Sequence, residues 1–257
     1  MRASPVWAAR IVLGVAAAAW AGQIRIAYVS ELAYDQPRVG VYLKNAAGQY
    51  LPPGSGGYVL PGLLDTGAAG HVLPKYLQDL MLTPLDPGGS AEVLTLCGYT
   101  EFLDLSQKIY VGVGPAESEN EAEYVEMGPQ RIAVRRVDPA GAELLGFPMI
   151  VGTPFFWNHA AGVSWQMIEV WPGIELPALV VAMRPVGQPG AAVDLALPLT
   201  MVGETNNDPD ARMPTANSVP FVDVILWSGS HRQRQQFIVD TGAQISFFST
   251  GWSRSRT

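Results

Sequence analysis

Apolar and polar residues alternate over short runs along most of this chain, and nowhere does a capped apolar stripe persist for several helical turns. Val39–Leu43 alternates as a strand does, a turn-rich stretch follows over Asn45–Gly57, and Tyr58–Leu64 predicts a second strand. Leu94–Phe102 and Lys108–Val113 read as further strands. Near the other end, Phe221–Trp227 predicts a strand, Ser228–Arg234 a polar turn, and Gln236–Val239 another strand. Gly203–Ser218 is polar without an apolar period and reads as a linker or long surface loop. Glu117–Glu126 carries five glutamates and reads as a solvated loop. With 27 Gly and 21 Pro spread along the chain, the expectation is a mainly β protein.

Two of these hairpins end alike. Leu63-Leu64-Asp65-Thr66-Gly67-Ala68 closes the first, and Ile238-Val239-Asp240-Thr241-Gly242-Ala243 closes the second. A hairpin running into Asp-Thr-Gly, twice, is an internal repeat of architecture as well as of letters. A carboxylate just past a buried strand end is held rigidly by the strand. Gly67 or Gly242 then lets the backbone turn and brings an N–H close to that carboxylate. The hydroxyl of Thr66 or Thr241 can donate to backbone across a symmetric partner and lock the two loops together. Two carboxyls within hydrogen-bond reach cannot both ionise, so Asp65 and Asp240 would share one proton and titrate as a pair. The ionised member can take a proton from water while the protonated one polarises a carbonyl. That is peptide-bond hydrolysis with neither a metal nor a covalent intermediate. Read blandly, both copies are ordinary turns, since Asp-Gly and Thr-Gly favour turns anyway.

Composition narrows the classes. The chain has 257 residues, 48% hydrophobic and 15% charged, enough apolar material for a sizeable core. A net charge of −7 argues against nucleic acid, whose phosphates demand Lys and Arg. Cys97, between Leu96 and Gly98, has no disulfide partner in the chain and reads as a small buried hydrophobe. His71, His159 and His231 are too scattered for a metal site, so no metal and no cofactor are expected. No Gly-x-Ser-x-Gly elbow, phosphate loop or dinucleotide fingerprint occurs. At the N-terminus, Arg2 and Arg10 supply positive charge, Ile11–Ala19 is apolar and small, and Ala19-Trp20-Ala21 has a small-x-small form. This predicts a signal peptide over 1–21 and an exported protein. The apolar run is shorter than the about 20 residues a membrane span needs, so no stable membrane insertion is expected.

The Asp65 and Asp240 segments resemble the catalytic loops of aspartic proteases, with Ala after Gly closer to the retropepsin-like branch than to the pepsin-like one. Met149-Ile150-Val151-Gly152-Thr153-Pro154-Phe155-Phe156 resembles that family's apolar-apolar-Gly segment, whose strand packs behind the catalytic loop and leads into a short helix. Gly162–Trp171 resembles the hairpin that closes such a lobe. The resemblance covers about 38–171 as one lobe and 219–250 as the opening of a second. It implies an acid-protease-like β-barrel, Asp65 and Asp240 as the dyad, and Thr66, Gly67, Thr241 and Gly242 as loop supports. It also implies Gly152 as the backing residue, a peptide or protein substrate, and a flap. Thr95–Thr100 is the flap candidate, with Gly98 at its tip and Tyr99 over the site; an ordinary core strand and turn is the other reading.

The domains expected are a signal peptide (1–21), a complete first lobe (22–180), and a linker with the incomplete start of a related second lobe (181–257). After Asp240 only Thr241–Thr257 remain, too few for a second flap and backing segment, and the tail turns polar and basic. A truncation or a shifted reading frame would produce such a tail. Three functions follow as expectations: an aspartic-type endopeptidase with an intrachain dyad, a homodimer pairing two Asp65 loops, or an inactive secreted β-rich binding module on the same scaffold.

Overall fold

The computed structural model describes residues 24–28, 36–94, 100–115, 120–157, 159–185, 200–202, 219–228 and 230–242. The elements are β1 (Ile24–Tyr28), β2 (Arg38–Asn45), β3 (Leu60–Leu64), β4 (Val72–Leu73), helix α1 (Lys75–Met81) and β5 (Leu85–Leu94). They continue with β6 (Thr100–Ser106), β7 (Ile109–Gly114), β8 (Val125–Gln130), β9 (Ala133–Arg135), the single-turn α2 (Ala142–Leu145) and β10 (Met149–Val151). The last five strands are β11 (His159–Trp171), β12 (Ile174–Pro185), β13 (Thr200–Val202), β14 (Val219–Ser228) and β15 (His231–Ile238). The fold is mainly β, as the alternation predicts. Among the described residues no helix is long and apolar enough to cross a membrane.

Nine strands form one sheet in the order β5-β6-β9-β4-β10-β3-β2-β7-β8, and it curls into a half-barrel. Its inner face carries Val41, Leu43, Leu60, Leu64, Val111, Val113, Met149 and Val151. Leu77 and Met81 of α1, together with Phe155, close over them. These side chains are essentially out of water, and each contributes roughly 1.5–3 kcal/mol by burial. Two antiparallel three-stranded sheets complete the fold, ordered β1-β12-β11 and β13-β14-β15.

The first strand of the repeat differs from a half-exposed alternation. Val39 through Leu43 is buried on both faces of β2. Val39, Val41 and Leu43 enter the core, while Tyr42 lies flat over Gly112, where a Cβ would come 2.1 Å from its ring. Lys44 stands over the Tyr42 and Tyr50 rings and pairs with Glu121 and Glu126. Glu126 also accepts from the Tyr42 hydroxyl at 2.8 Å. The acidic segment is therefore only partly a solvated loop: Glu126 belongs to β8 and is held by the charge of the partly buried Lys44.

Two further element readings change. Leu94–Phe102 is not one strand; β5 ends at Leu94, β6 begins at Thr100, and the two residues face each other in an antiparallel pair. The flap candidates Gly98 and Tyr99 fall in 95–99 between them, outside the described residues, as do Cys97, the signal segment and 203–218. Ser228–Arg234 is not a turn either. β15 already begins at His231, opposite Ser228, and its ladder with β14 runs unbroken to Ile238. Polarity misleads there because β15 pairs on one side only, and an edge strand keeps polar side chains in solvent.

Candidate active site

Two strand ends deliver the repeated motif to one place. β3 leads into Asp65, whose N–H donates to the Val151 carbonyl of the parallel β10 at 3.0 Å. β15 leads through Val239 into Asp240. Each approach is pinned alike: Leu64 N–H donates to Pro37 O at 3.0 Å and Val239 N–H to Pro220 O at 2.8 Å. The repeat is thus physical, extending to the strand that precedes each hairpin return.

The two loops interlock. Thr66 Oγ1 donates to Val239 O at 2.6 Å, and Thr241 Oγ1 donates to Leu64 O at 2.7 Å. In return each hydroxyl accepts the other loop's amide, Thr66 N–H to Thr241 Oγ1 and Thr241 N–H to Thr66 Oγ1, both at 3.1 Å. Every hydroxyl therefore donates once and accepts once, which uses its single donor and fixes its rotor. Gly67 N–H donates to Asp65 Oδ1 at 2.7 Å, and Gly242 N–H donates to Asp240 Oδ1 at 2.9 Å.

The glycines act differently from the tight-turn role expected of them. Neither has a positive φ. What each supplies is the space of a missing Cβ. A Cβ on Gly67 would fall 2.5 Å from Asp240 Cγ, and one on Gly242 would fall 2.7 Å from Asp65 Cγ. Each carboxyl rests against the other loop's glycine, which brings the two carboxyls side by side and hydrogen-bonded to each other. The Asp65 carboxyl is pushed up to about 7, first by burial, then by the charge and hydrogen bond of Asp240. Backbone N–H groups of Gly67 and Ala68 pull the other way but do not prevail.

Gly152 follows β10 directly, and the chain then makes a 3-10 turn over Thr153–Trp157. A Cβ there would meet Gly70 O at 2.2 Å and Ala68 O at 2.6 Å, so only glycine lets this segment close behind the first loop. Thr153 N–H donates to Ala68 O at 2.8 Å and completes that closure.

Sequence reasoning missed two residues. His71 is fully buried behind the first loop, where its Nδ1 accepts the Gly152 N–H at 3.1 Å. The accepting Nδ1 makes the ring a neutral Nε2–H tautomer, and burial holds its pKa down to about 4. Gln36 donates from Nε2 to Gly242 O at 2.6 Å and so ties the segment leading into β2 to the second loop. Nothing in the local sequence around either residue marks it; both roles come from what the fold places opposite. Among the described residues no group of three or more His, Cys, Asp or Glu could hold a metal ion.

The arrangement can hold one proton between two carboxyls and present their outer oxygens to a water and a carbonyl. No family model matches the chain, and a search of curated proteins finds no match.

Proposed function

We propose that the chain is an aspartic-type endopeptidase, with Asp65 and Asp240 as an intrachain dyad in an acid-protease-like scaffold. The observation that carries this reading is the reciprocal Thr66–Thr241 interlock, with each carboxyl set against the opposite glycine. Ordinary turns have no reason to match each other bond for bond across 175 residues. The interlock also favours one chain over a pair of chains, because Thr66 already has its partner in Thr241.

In this reading the ionised carboxyl takes a proton from a water that attacks the scissile carbonyl carbon. The protonated carboxyl gives its proton to the carbonyl oxygen, leaving a neutral tetrahedral gem-diol. Collapse returns one diol proton to the ionised carboxyl while the protonated carboxyl passes its own proton to the departing amine nitrogen, so the dyad ends with its single proton restored. The Thr interlock and the Gly67 and Gly242 amides keep the two groups from drifting apart or rotating. Gly152 and His71 brace the first loop from behind. Gly98 and Tyr99 remain the proposed cover over the substrate, and an exported protein the proposed setting.

The test is cleavage of a mixed peptide library across pH 3–8 by the full chain and two variants. Asp65→Asn and Asp240→Asn should each lower the rate by at least about 10²–10⁴-fold without shifting the melting profile out of cooperativity. Loss in Asp65→Asn with full activity in Asp240→Asn would move the dyad to a homodimer of Asp65 loops. A folded wild-type chain that cleaves nothing would make the scaffold a binding module.

A further inference from the structure

The outer face of the half-barrel, behind the two loops, holds a cavity of about 390 Å³. The strand register explains its floor. Arg38 pairs with Leu63, Leu63 with Ile150, and Ile150 with Val72, so one side chain from each of β2, β3, β10 and β4 falls in a row. Cross-strand partners share a face. The row is thus three aliphatic side chains ending in a guanidinium. Arg135 from β9 adds a second cation to the lining, and Leu145 and Phe147 form an apolar lip, 55% and 40% exposed.

The charges of the cavity are uneven. Among the described residues its lining carboxylate is Asp138, which accepts the Lys75 and Tyr76 amides with its two oxygens at 2.8 and 2.7 Å, at the start of α1. Arg135 leans outward to Glu101 at 3.4 Å. Arg38 Nη2 donates to Gln36 Oε1 at 3.1 Å, and the same Gln36 donates to Gly242 O, whose own amide holds Asp240. A cationic end beside an aliphatic floor, in a slot of small-molecule size, suits one kind of ligand.

We propose that this cavity binds a carboxylate carried on a short apolar body, with the carboxylate on Arg38 and the body over Leu63, Ile150 and Val72. Through the Arg38–Gln36–Gly242 chain of hydrogen bonds, the bound ligand draws on the loop that carries Asp240 and changes its catalysis. The binding half is independent of the endopeptidase reading; the catalytic half rests on it.

Octanoate and N-acetyl-Leu-Leu, a free acid and a peptide C-terminus, are the two probes, with octanol and the peptide amide as uncharged controls. Saturation-transfer NMR and calorimetry on the full chain should detect saturable binding of at least one acid. Its affinity should fall about tenfold or more in Arg38→Met and for the matching uncharged control. Phe147→Ala, at the exposed lip, should weaken binding severalfold with the fold intact and serves if Arg38→Met melts early. The probe that binds more tightly identifies the source. Binding of neither acid, or binding indifferent to charge and to both substitutions, overturns the site. In the cleavage assay the acid should change kcat or KM with the same half-saturation, and Gln36→Leu should remove the change. Peptide cleavage indifferent to a bound acid overturns the coupling. A bound acid with no cleavage under any condition sinks the endopeptidase reading and leaves the site standing.

Discussion

Gly67 and Gly242 set how closely two acidic side chains can approach. Alanine at either position would place a methyl inside the van der Waals envelope of the opposite carboxyl. Gly67→Ala should therefore lose peptide cleavage by at least about 10²-fold, as misplacement of reacting groups does, with the half-barrel still folded. Kinetics alongside far-ultraviolet circular dichroism would check both halves of that expectation. The threonines carry a second one. Thr66→Val removes a donor from Val239 O and an acceptor from Thr241 N–H, leaving half-buried backbone groups unpaired. The cost should be about 1–3 kcal/mol in urea unfolding, and Thr66→Ser should restore most of it. The threonine role is legible in the sequence, because a hydroxyl beside each Asp can donate across a symmetric partner; the spacing role of the glycines is not, because it depends on the opposite carboxyl. His71 and Gln36 are not legible either, since a lone histidine and a lone glutamine look alike whether they brace a loop or face solvent.

At the scale of elements, α1 depends on a residue far from it in sequence. Its first position follows Pro74, which offers no capping side chain, and the Asp138 carboxylate accepts the Lys75 and Tyr76 amides instead. A carboxylate there satisfies two orphan donors and favours the helix dipole. Asp138→Ala should cost about 1–2 kcal/mol by denaturant unfolding, close to the loss of an ordinary N-cap. The helix ends at Leu82, a non-glycine residue with φ of 52° that is largely exposed. Leu82→Gly relieves that conformation and should stabilise by about 0.5–1 kcal/mol in the same experiment. Periodicity finds β2, β14 and the end of β15 but hides α1 and the polar start of β15. A seven-residue helix is too short to show an amphipathic period, and its cap is tertiary. In β15 the polar run His231–Gln236 is strand only because β14 lies beside it.

For the molecule as a whole, two titratable groups, the half-buried Asp65 and the buried His71, give stability opposite dependences on pH. Folded, Asp65 keeps its proton to about 7, whereas the free side chain releases it near 3.8. The folded state then binds more protons than the unfolded one, so this contribution falls as pH rises through that window. Folded, His71 stays neutral down to about 4, whereas the free ring takes a proton at 6.5. Here the unfolded state binds more protons, and stability rises with pH between about 4 and 6.5. The two trends oppose each other over that range. Asp65→Asn removes one of them, so its stability should climb with pH more steeply than that of the parent, by up to about 1.4 kcal/mol per pH unit. Urea unfolding at pH 4.5, 5.5 and 6.5 would show the divergence; parallel curves would mean that Asp65 does not titrate against its surroundings. In the endopeptidase reading the same proton serves the dyad, so cleavage should decline above about pH 7 as that proton is lost.

By itself the sequence determined the β character, the two hairpins and the residue types of the repeated motif, because alternation, turn residues and Asp-Thr-Gly are local signals. Only the tertiary structure decided that the two motifs meet and interlock. It also decided that each glycine is required by the other loop's carboxyl, and that His71, Gln36 and Asp138 act on segments remote from them. Those outcomes depend on which backbone amide faces which side chain after the sheets have closed. No window of neighbouring residues contains that information.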